Sequence, residues 1–205
     1  GYTPDLTSDV WSSPDGARWT RVGEVPTSAG INIPVAFVLG GRMWLADNEG
    51  RLYSSGDGAS WSLEADSTPW SGRYAAGCTV HDGRVWVMGG ARAGRAYNDV
   101  WSSGDGRSWT EETSCADWSP RQLFGNVASH DGRLWVVGGG ITRYEPFRSY
   151  RDVWCSEDGR LWHPATHEAP WPGRIWSSCA VYRGRLVLFG GFRSQPTWSN
   201  WDDLW

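Results

Sequence analysis

The chain has 205 residues, of which 17 are tryptophan, 27 glycine and 11 proline. A hydrophobic content of 40% excludes a disordered chain, and no apolar run reaches the roughly 18 residues of a membrane span. The formal net charge of −4, with arginine as the only strongly basic residue, argues against a nucleic-acid partner held by bulk charge. The tryptophans pose the first question, because such a density is expected either of sugar-binding platforms or of a repeated structural unit.

A short motif returns four times along the chain. It consists of a serine, then an aspartate-glycine pair, then a tryptophan three residues after the glycine, and its aspartates are Asp15, Asp57, Asp105 and Asp158. These aspartates are 42, 48 and 53 residues apart, and an aromatic residue stands four positions before each: Trp11, Tyr53, Trp101 and Trp154. Each motif predicts a β-hairpin whose aspartate accepts hydrogen bonds from nearby backbone N–H groups.

A second block recurs between these hairpins. It opens with glycine-arginine at Gly41, Gly83, Gly132 and Gly184, and the last three copies run into a double glycine: Gly89-Gly90, Gly138-Gly139 and Gly190-Gly191. The first copy departs from this pattern and reads Leu45-Ala46-Asp47-Asn48. The β-rich segments on either side of the block predict an inner hairpin of strands A and B, followed by an outer hairpin of strands C and D.

In chain order, the pattern predicts a C–D hairpin at 8–24, four-stranded blades at about 31–66, 73–114 and 121–166, and A, B and C strands at 174–205. About 50 residues and four antiparallel strands in each unit are typical of a β-propeller blade, so the fold class is all-β. The 205 residues then form one propeller segment with about four repeats.

The double glycine after strand B, the Asn98-Asp99-Val100-Trp101 segment and the tryptophan of strand D resemble the Kelch repeat over essentially the whole chain. The Asp-Gly hairpins are similar to the Asp-box of sialidases, with one residue fewer. This resemblance implies a family that includes interaction scaffolds, sugar-acid isomerases and copper oxidases, and it does not choose among them. Four B strands against five C strands predict a fragment or an incomplete ring, whose open blade edges could support self-association.

Alternating strand direction places the B–C and D–A connections on one rim, and long variable loops on such a rim are where binding usually resides. These loops are rich in arginine and aromatic residues. The predicted ligand-binding residues are Arg73, Arg121, Arg174, Arg143, Tyr144, Arg148, Trp198 and Trp201. Guanidinium groups there suit a carboxylate, a sulfate or an acidic peptide, and aromatic rings can stack on sugars. The alternative for Arg73, Arg121 and Arg174, which recur at the start of three A strands, is a structural role as donors to neighbouring carbonyls.

Fourteen of the 17 tryptophans fall at positions that the repeat explains, which leaves Trp176, Trp198 and Trp201 outside it. No metal-binding spacing is found, because His81 and His130 are equivalent turn positions and His163 and His167 follow a strand around a proline. Among the four cysteines, a disulfide between Cys115 and Cys155 stays open.

The sequence therefore predicts a non-enzymatic binding module that needs no cofactor and holds an acidic peptide or a glycan at its rim, with no nucleic-acid or membrane partner. The alternatives are a carbohydrate-active enzyme, such as a sugar-acid isomerase or a sialidase-like hydrolase, and a scaffold fragment of a larger propeller. The chain starts at Gly1 and shows no charged-then-apolar leader. The compartment is left open, with an extracellular or periplasmic location as the preferred expectation.

Overall fold

A computed structural model describes residues 7–31, 33–142, 147–193 and 199–205, and all regular structure in them is β-strand. The strands, in chain order, are β1 Asp9–Ser12, β2 Thr20–Glu24, β3 Val35–Leu39, β4 Arg42–Ala46, β5 Leu52–Ser55, β6 Ser62–Ala65, β7 Gly77–His81, β8 Arg84–Met88, β9 Ala91–Arg92, β10 Arg95–Ala96, β11 Val100–Ser103, β12 Thr110–Thr113, β13 Val127–His130, β14 Arg133–Val137, β15 Gly140–Ile141, β16 Arg148–Ser149, β17 Val153–Ser156, β18 His163–Thr166, β19 Ser178–Tyr182, β20 Arg185–Phe189, β21 Phe192–Arg193 and β22 Ser199–Asn200. Within the described ranges, no helix is long and apolar enough to cross a membrane.

Three four-stranded antiparallel sheets form the body of the protein. Blade 1 contains β3-β4-β5-β6, blade 2 contains β7-β8-β11-β12, and blade 3 contains β13-β14-β17-β18, each in this spatial order. The hairpin β1–β2 precedes them, and blade 4 consists of β19–β20 with a bridge from Phe189 to Leu204. The predicted all-β fold of four-stranded antiparallel blades is confirmed.

Consecutive blades pack through their first strands, because β3 contacts β7, β7 contacts β13, and β13 contacts β19. Backbone hydrogen bonds join neighbouring blades: Leu123 N–H donates to the Ala75 carbonyl at 2.7 Å, and Cys179 N–H donates to the Gly125 carbonyl at 2.7 Å. The inner strands are therefore tied to one another as well as to their own sheets.

Buried tryptophans fill the spaces between blades. Trp109 packs edge-on against Trp70 with 5.0 Å between ring centroids, and Trp162 packs edge-on against Trp118 at 5.9 Å. Edge-to-face contacts of this kind add to the free energy gained by burying the rings. These four tryptophans are thus packing residues of the interblade cores, whereas Trp11 and Trp19 of the first hairpin are 50% and 59% exposed.

The Asp-Gly turns have the structural role that the sequence predicts. In blade 2, Asp105 Oδ1 accepts hydrogen bonds from the N–H groups of Arg107 at 2.8 Å and Ser108 at 2.7 Å. Gly106 has a φ of +76°, and a Cβ there would lie 2.9 Å from the Trp44 ring of blade 1. Glycine is therefore required both by the left-handed backbone and by the close approach of the turn to the preceding blade.

The double glycine turns the chain at the end of strand B. Gly89 and Gly90 have φ values of +61° and +86°, and Gly90 N–H donates to the Arg121 carbonyl, which precedes the first strand of blade 3, at 2.9 Å. In blade 1, the turn between strands B and C has Asp47 in place of the double glycine. The buried Asp47 Oδ1 accepts hydrogen bonds from the N–H groups of Glu49 at 3.0 Å and Arg51 at 2.9 Å.

Candidate functional site

The B–C connections of blades 2, 3 and 4 contain short hairpins where the sequence predicted loops: β9–β10, β15–β16 and β21–β22. The segment that enters each blade pairs with its hairpin through a bridge, Tyr74 to Ala91, Gln122 to Gly140 and Ile175 to Phe192. The B–C and D–A connections therefore lie at the same edge, as the alternation of strand direction requires, and they form an ordered rim.

The first set of predicted site residues, Arg73, Arg121 and Arg174, lies beneath this rim. The side chain of Arg121 is fully buried, and its Nη1 and Nη2 donate to Asp152 Oδ1 and Oδ2 at 2.5 and 2.9 Å. Arg121 Nη1 also donates to the Gly138 carbonyl at 3.0 Å, and the guanidinium lies 3.8 Å from the ring centroid of Tyr150. The bidentate pair thus ties the segment entering blade 3 to the start of its strand C.

The same arrangement is present in the neighbouring blades. Arg73 pairs with Asp99 and stacks on Tyr97 at 3.9 Å. Arg174 pairs with Asp203 at 2.6 and 2.9 Å and lies 5.7 Å from the Trp201 ring. Trp201 therefore occupies the position of Tyr97 and Tyr150, which the sequence did not anticipate.

Arg121 and Arg174 hold the carboxylates that face them in the ionised state. The hydrogen bond from Arg174 lowers the pKa of Asp203 to about 2. Burial raises the pKa of Asp152, but the hydrogen bond and charge of Arg121, together with weaker hydrogen bonds, leave it below its ordinary value. Since the guanidinium groups of Arg73, Arg121 and Arg174 are taken up by protein partners, we leave these residues out of the binding surface proposed below.

Of the other predicted site residues, Arg143, Tyr144 and Trp198 lie outside the described residues. Trp176 lies at the rim with a φ of +54° and packs edge-on against Phe192 at 5.5 Å between centroids. Arg148 lies on β16 and is exposed. It lines the cavity that we take as the candidate site.

This cavity has a volume of about 480 Å³ and lies beside the B–C hairpins of blades 3 and 4. We call it the arginine cleft, and its lining residues are Phe147, Arg148, Ser149, Tyr150, Arg151, Gly173 and Arg193. Three arginines line it: Arg148 of β16, Arg151 of the segment that follows and Arg193 of β21. The volume lies within the range of small-molecule and side-chain binding pockets.

The three cleft arginines differ in their partners. Arg151 Nη2 forms an ion pair with Glu168 Oε2 at 3.0 Å. Within the ranges that the structure describes, neither Arg148 nor Arg193 pairs with a carboxylate. The Nε–H of Arg193 is moreover buried and has no hydrogen-bond partner among the described residues, and the guanidinium lies 5.9 Å from the Trp201 ring. A buried donor with no acceptor is unfavourable, so a side-chain rotation that brings it to an acceptor is favoured.

Sequence reasoning left Arg151 and Arg193 out of the predicted site. For Arg151 a signal was available, because the residue before the strand-C aspartate is Asn98 in blade 2, Arg151 in blade 3 and Asp202 in blade 4. Asn98 has a structural role, since its Nδ2 donates to the carbonyls of Ala116 at 2.8 Å and Trp118 at 3.1 Å. At the equivalent position, Arg151 turns its side chain to the cleft.

The four cysteines are all free, so the open possibility of a Cys115–Cys155 disulfide is excluded. Burial raises the pKa of the Cys78 thiol to about 12 and that of the Cys179 thiol to about 11, which disfavours the reactive thiolate at neutral pH. Within the described part of the chain, no group of three or more histidine, cysteine, aspartate or glutamate residues is placed to hold a metal ion. His81 Nδ1 instead lies 2.8 Å from Ser129 Oγ of the neighbouring blade.

The fold and the rim define the class of this protein: an all-β, propeller-like chain of four-stranded antiparallel blades. The fold of this chain is similar to the solved structure of YjhT. The TM-score is 0.75 and the sequence identity 15%, and the alignment covers 96% of this chain and 71% of the YjhT chain. At this identity the similarity shows the fold alone. No protein-family profile matches the sequence, and no curated protein matches it either.

Proposed function

We propose that this protein is a binding module that holds a carboxylate-bearing ligand, an acidic peptide or an acidic glycan, in the arginine cleft. The observation that carries the proposal is the pair of guanidinium groups, on Arg148 and Arg193, that share one cavity without a carboxylate partner among the described residues. Guanidinium groups bind carboxylates through paired, charge-assisted hydrogen bonds, and they do so better in a cleft than on an open surface.

The orphaned Nε–H of Arg193 supports an oxygen-bearing ligand in particular. This donor is buried, so an acceptor reaches it only when the Arg193 side chain rotates toward the cleft. A ligand carboxylate that pairs with the rotated guanidinium gives the donor its acceptor and also neutralises the charge. Rings of Phe147 and Tyr150 line the same cavity and offer apolar area to the ligand backbone or sugar ring.

We further infer that the chain is of the Kelch type. The support is the double glycine with left-handed φ values at Gly89-Gly90, Gly138-Gly139 and Gly190-Gly191, in blades 2, 3 and 4. The arginine–aspartate pairs next to each double glycine recur with the same geometry. A repeat whose geometry returns in each blade is typical of a propeller family with a shared motif.

The test is a titration, by calorimetry at low salt, of the protein with two probes: a penta-glutamate peptide and an oligogalacturonate. The Arg148→Met and Arg193→Met double variant removes the guanidinium groups of both residues, and we expect at least about tenfold weaker binding of whichever probe the wild type holds. The probe that binds distinguishes a peptide ligand from a glycan ligand.

The matched control is the double change Arg18→Met and Arg133→Met, which removes the same two charges from exposed positions away from the cleft. Equal weakening in both variants would show that only net charge matters and would contradict the cleft assignment. Absence of binding to either probe by the wild type would remove the proposed function.

A further inference from the structure

Among the described residues, Arg151 is the one arginine of the cleft that has a carboxylate partner. Its Nη2 lies 3.0 Å from Glu168 Oε2, and 45% of the Arg151 side chain and 73% of the Glu168 side chain are exposed. Ion pairs this exposed are worth little, because both partners are well solvated when apart. The pair is therefore easily exchanged for another carboxylate.

The backbone places Glu168 beside Arg151. Ala169 N–H donates to the Arg151 carbonyl at 2.8 Å, and Glu168 N–H donates to Thr166 Oγ1 at 3.2 Å. These bonds fix the main chain at Glu168 and Ala169, whereas within the described ranges the Glu168 side chain is held by the Arg151 guanidinium alone. The fold therefore determines where the Glu168 carboxylate lies, and a rotation of the Glu168 side chain is enough to move it away from Arg151.

The neighbouring blade shows that this pair is not needed to hold the connection. In blade 2 the equivalent residue, Asn98, donates to the carbonyls of the D–A connection directly. In blade 3 the backbone hydrogen bond from Ala169 to the Arg151 carbonyl matches the one from Ala116 to the Asn98 carbonyl in blade 2. The Arg151 side chain, however, pairs with Glu168, and the residue lines the cleft. A purely structural requirement for the ion pair is therefore not evident in the repeat.

We propose that Glu168 is an internal competitor for the ligand of the arginine cleft, and this rests on the proposed function above. Its carboxylate occupies Arg151 in the free protein and is displaced when a ligand carboxylate binds the same guanidinium. Glu168 then determines which ligands bind: a carboxylate-rich ligand supplies a replacement for it, whereas a ligand with one carboxylate is taken by Arg148 and Arg193 and leaves the pair intact.

The experiment compares Glu168→Gln with the wild type in the binding of penta-glutamate, or of the oligogalacturonate if that is the probe that binds, at low salt. We expect the variant to bind about two- to fivefold more tightly, as the loss of an exposed competing pair implies. The gain disappears in an Arg151→Met background, where no guanidinium is left to be released. Urea unfolding checks that each variant is folded.

Glu157→Gln is the matched control. Glu157 pairs with Arg133 at 3.1 Å, with 74% and 45% of the two side chains exposed, and neither residue lines the cleft. Both substitutions change the net charge by the same amount, so a tighter complex with both variants would overturn the inference as a general charge effect. Unchanged affinity of Glu168→Gln would also overturn it while the proposed function stands. If the wild type binds neither probe, the proposed function fails and this inference fails with it.

Discussion

Two sets of arginines lie within a few residues of each other and differ in what they bind. Arg73, Arg121 and Arg174 lie beneath the rim, where each forms a bidentate pair with an aspartate and stacks on an aromatic ring. The cleft arginines lie just above, with one exposed carboxylate partner among the three in the described chain. The difference shows that one residue type can tie together the strands of a blade and, a few residues later, line a cavity at the rim.

The largest expected difference between the two sets of arginines is in stability, and Arg121 tests it most directly. We expect Arg121→Met to lower the free energy of unfolding by about 3–5 kcal/mol, because Asp152 is left without its partner and the Gly138 carbonyl without its donor. Urea denaturation followed by tryptophan fluorescence measures the loss. Arg148→Met serves as the control and should change stability by less than about 0.5 kcal/mol. Equal losses in the two variants would erase the distinction between the two sets.

A smaller effect is expected at low pH, where the partly exposed carboxylate that pairs with Arg174 becomes protonated. The pKa of Asp203 is lowered to about 2 by the hydrogen bond from Arg174, against an unfolded value of about 3.9. Since the folded pKa is the lower one, the stabilisation is complete above pH ~4 and is lost as the pH falls through 2.

The measurement is the free energy of unfolding of Asp203→Asn between pH 7 and pH 2. We expect the variant to be about 1 kcal/mol less stable than the wild type at neutral pH, a value reduced for partial exposure of the carboxylate, and most of this difference to be lost by pH 2. Asp202→Asn, the same change at the exposed neighbour, is the control and should alter the free energy of unfolding by less than about 0.5 kcal/mol. A constant difference between Asp203→Asn and the wild type at all pH values would mean that the charge on Asp203 contributes nothing.

The sequence predicted the architecture because the architecture is repeated. Asp105 has a counterpart with the same backbone hydrogen bonds in every Asp-Gly turn, so four copies reveal one local structure. The close approach of the turn to the preceding blade is shared by Gly106 and Gly159. The partner of Arg121 could not be read in this way, since Asp152 is 31 residues away and meets it only through the register of blade 3. The recurrence of Arg73, Arg121 and Arg174 indicated a possible structural role for these residues, but it did not reveal which residues they pair with.

The cleft was the least predictable region because it arises where the repeat changes. Arg151 replaces an asparagine that holds a connection, and Arg193 lies at the other side of a cavity formed by two hairpins that are far apart in the chain. Trp201 shows the opposite error, since a ring thought to lie outside the repeat stacks on Arg174 as Tyr97 does on Arg73. Departures from a repeat identify functional residues only when the structural role at each position is already known.

The smallest expected effect on stability concerns a third kind of arginine, which forms an ion pair between two blades at the surface. Arg107 of blade 2 pairs with Glu64 of blade 1 at 2.7 Å, and 53% of its side chain is exposed. We expect Arg107→Met to cost about 0.5 kcal/mol of unfolding free energy in 50 mM salt and less in 1 M salt, because screening weakens exposed pairs. The Arg121→Met loss should be nearly the same at both salt concentrations, since that pair is shielded from solvent. A salt-independent cost at Arg107 would instead assign its contribution to the contact of its guanidinium with the Trp44 ring, 5.3 Å away, and not to the ion pair.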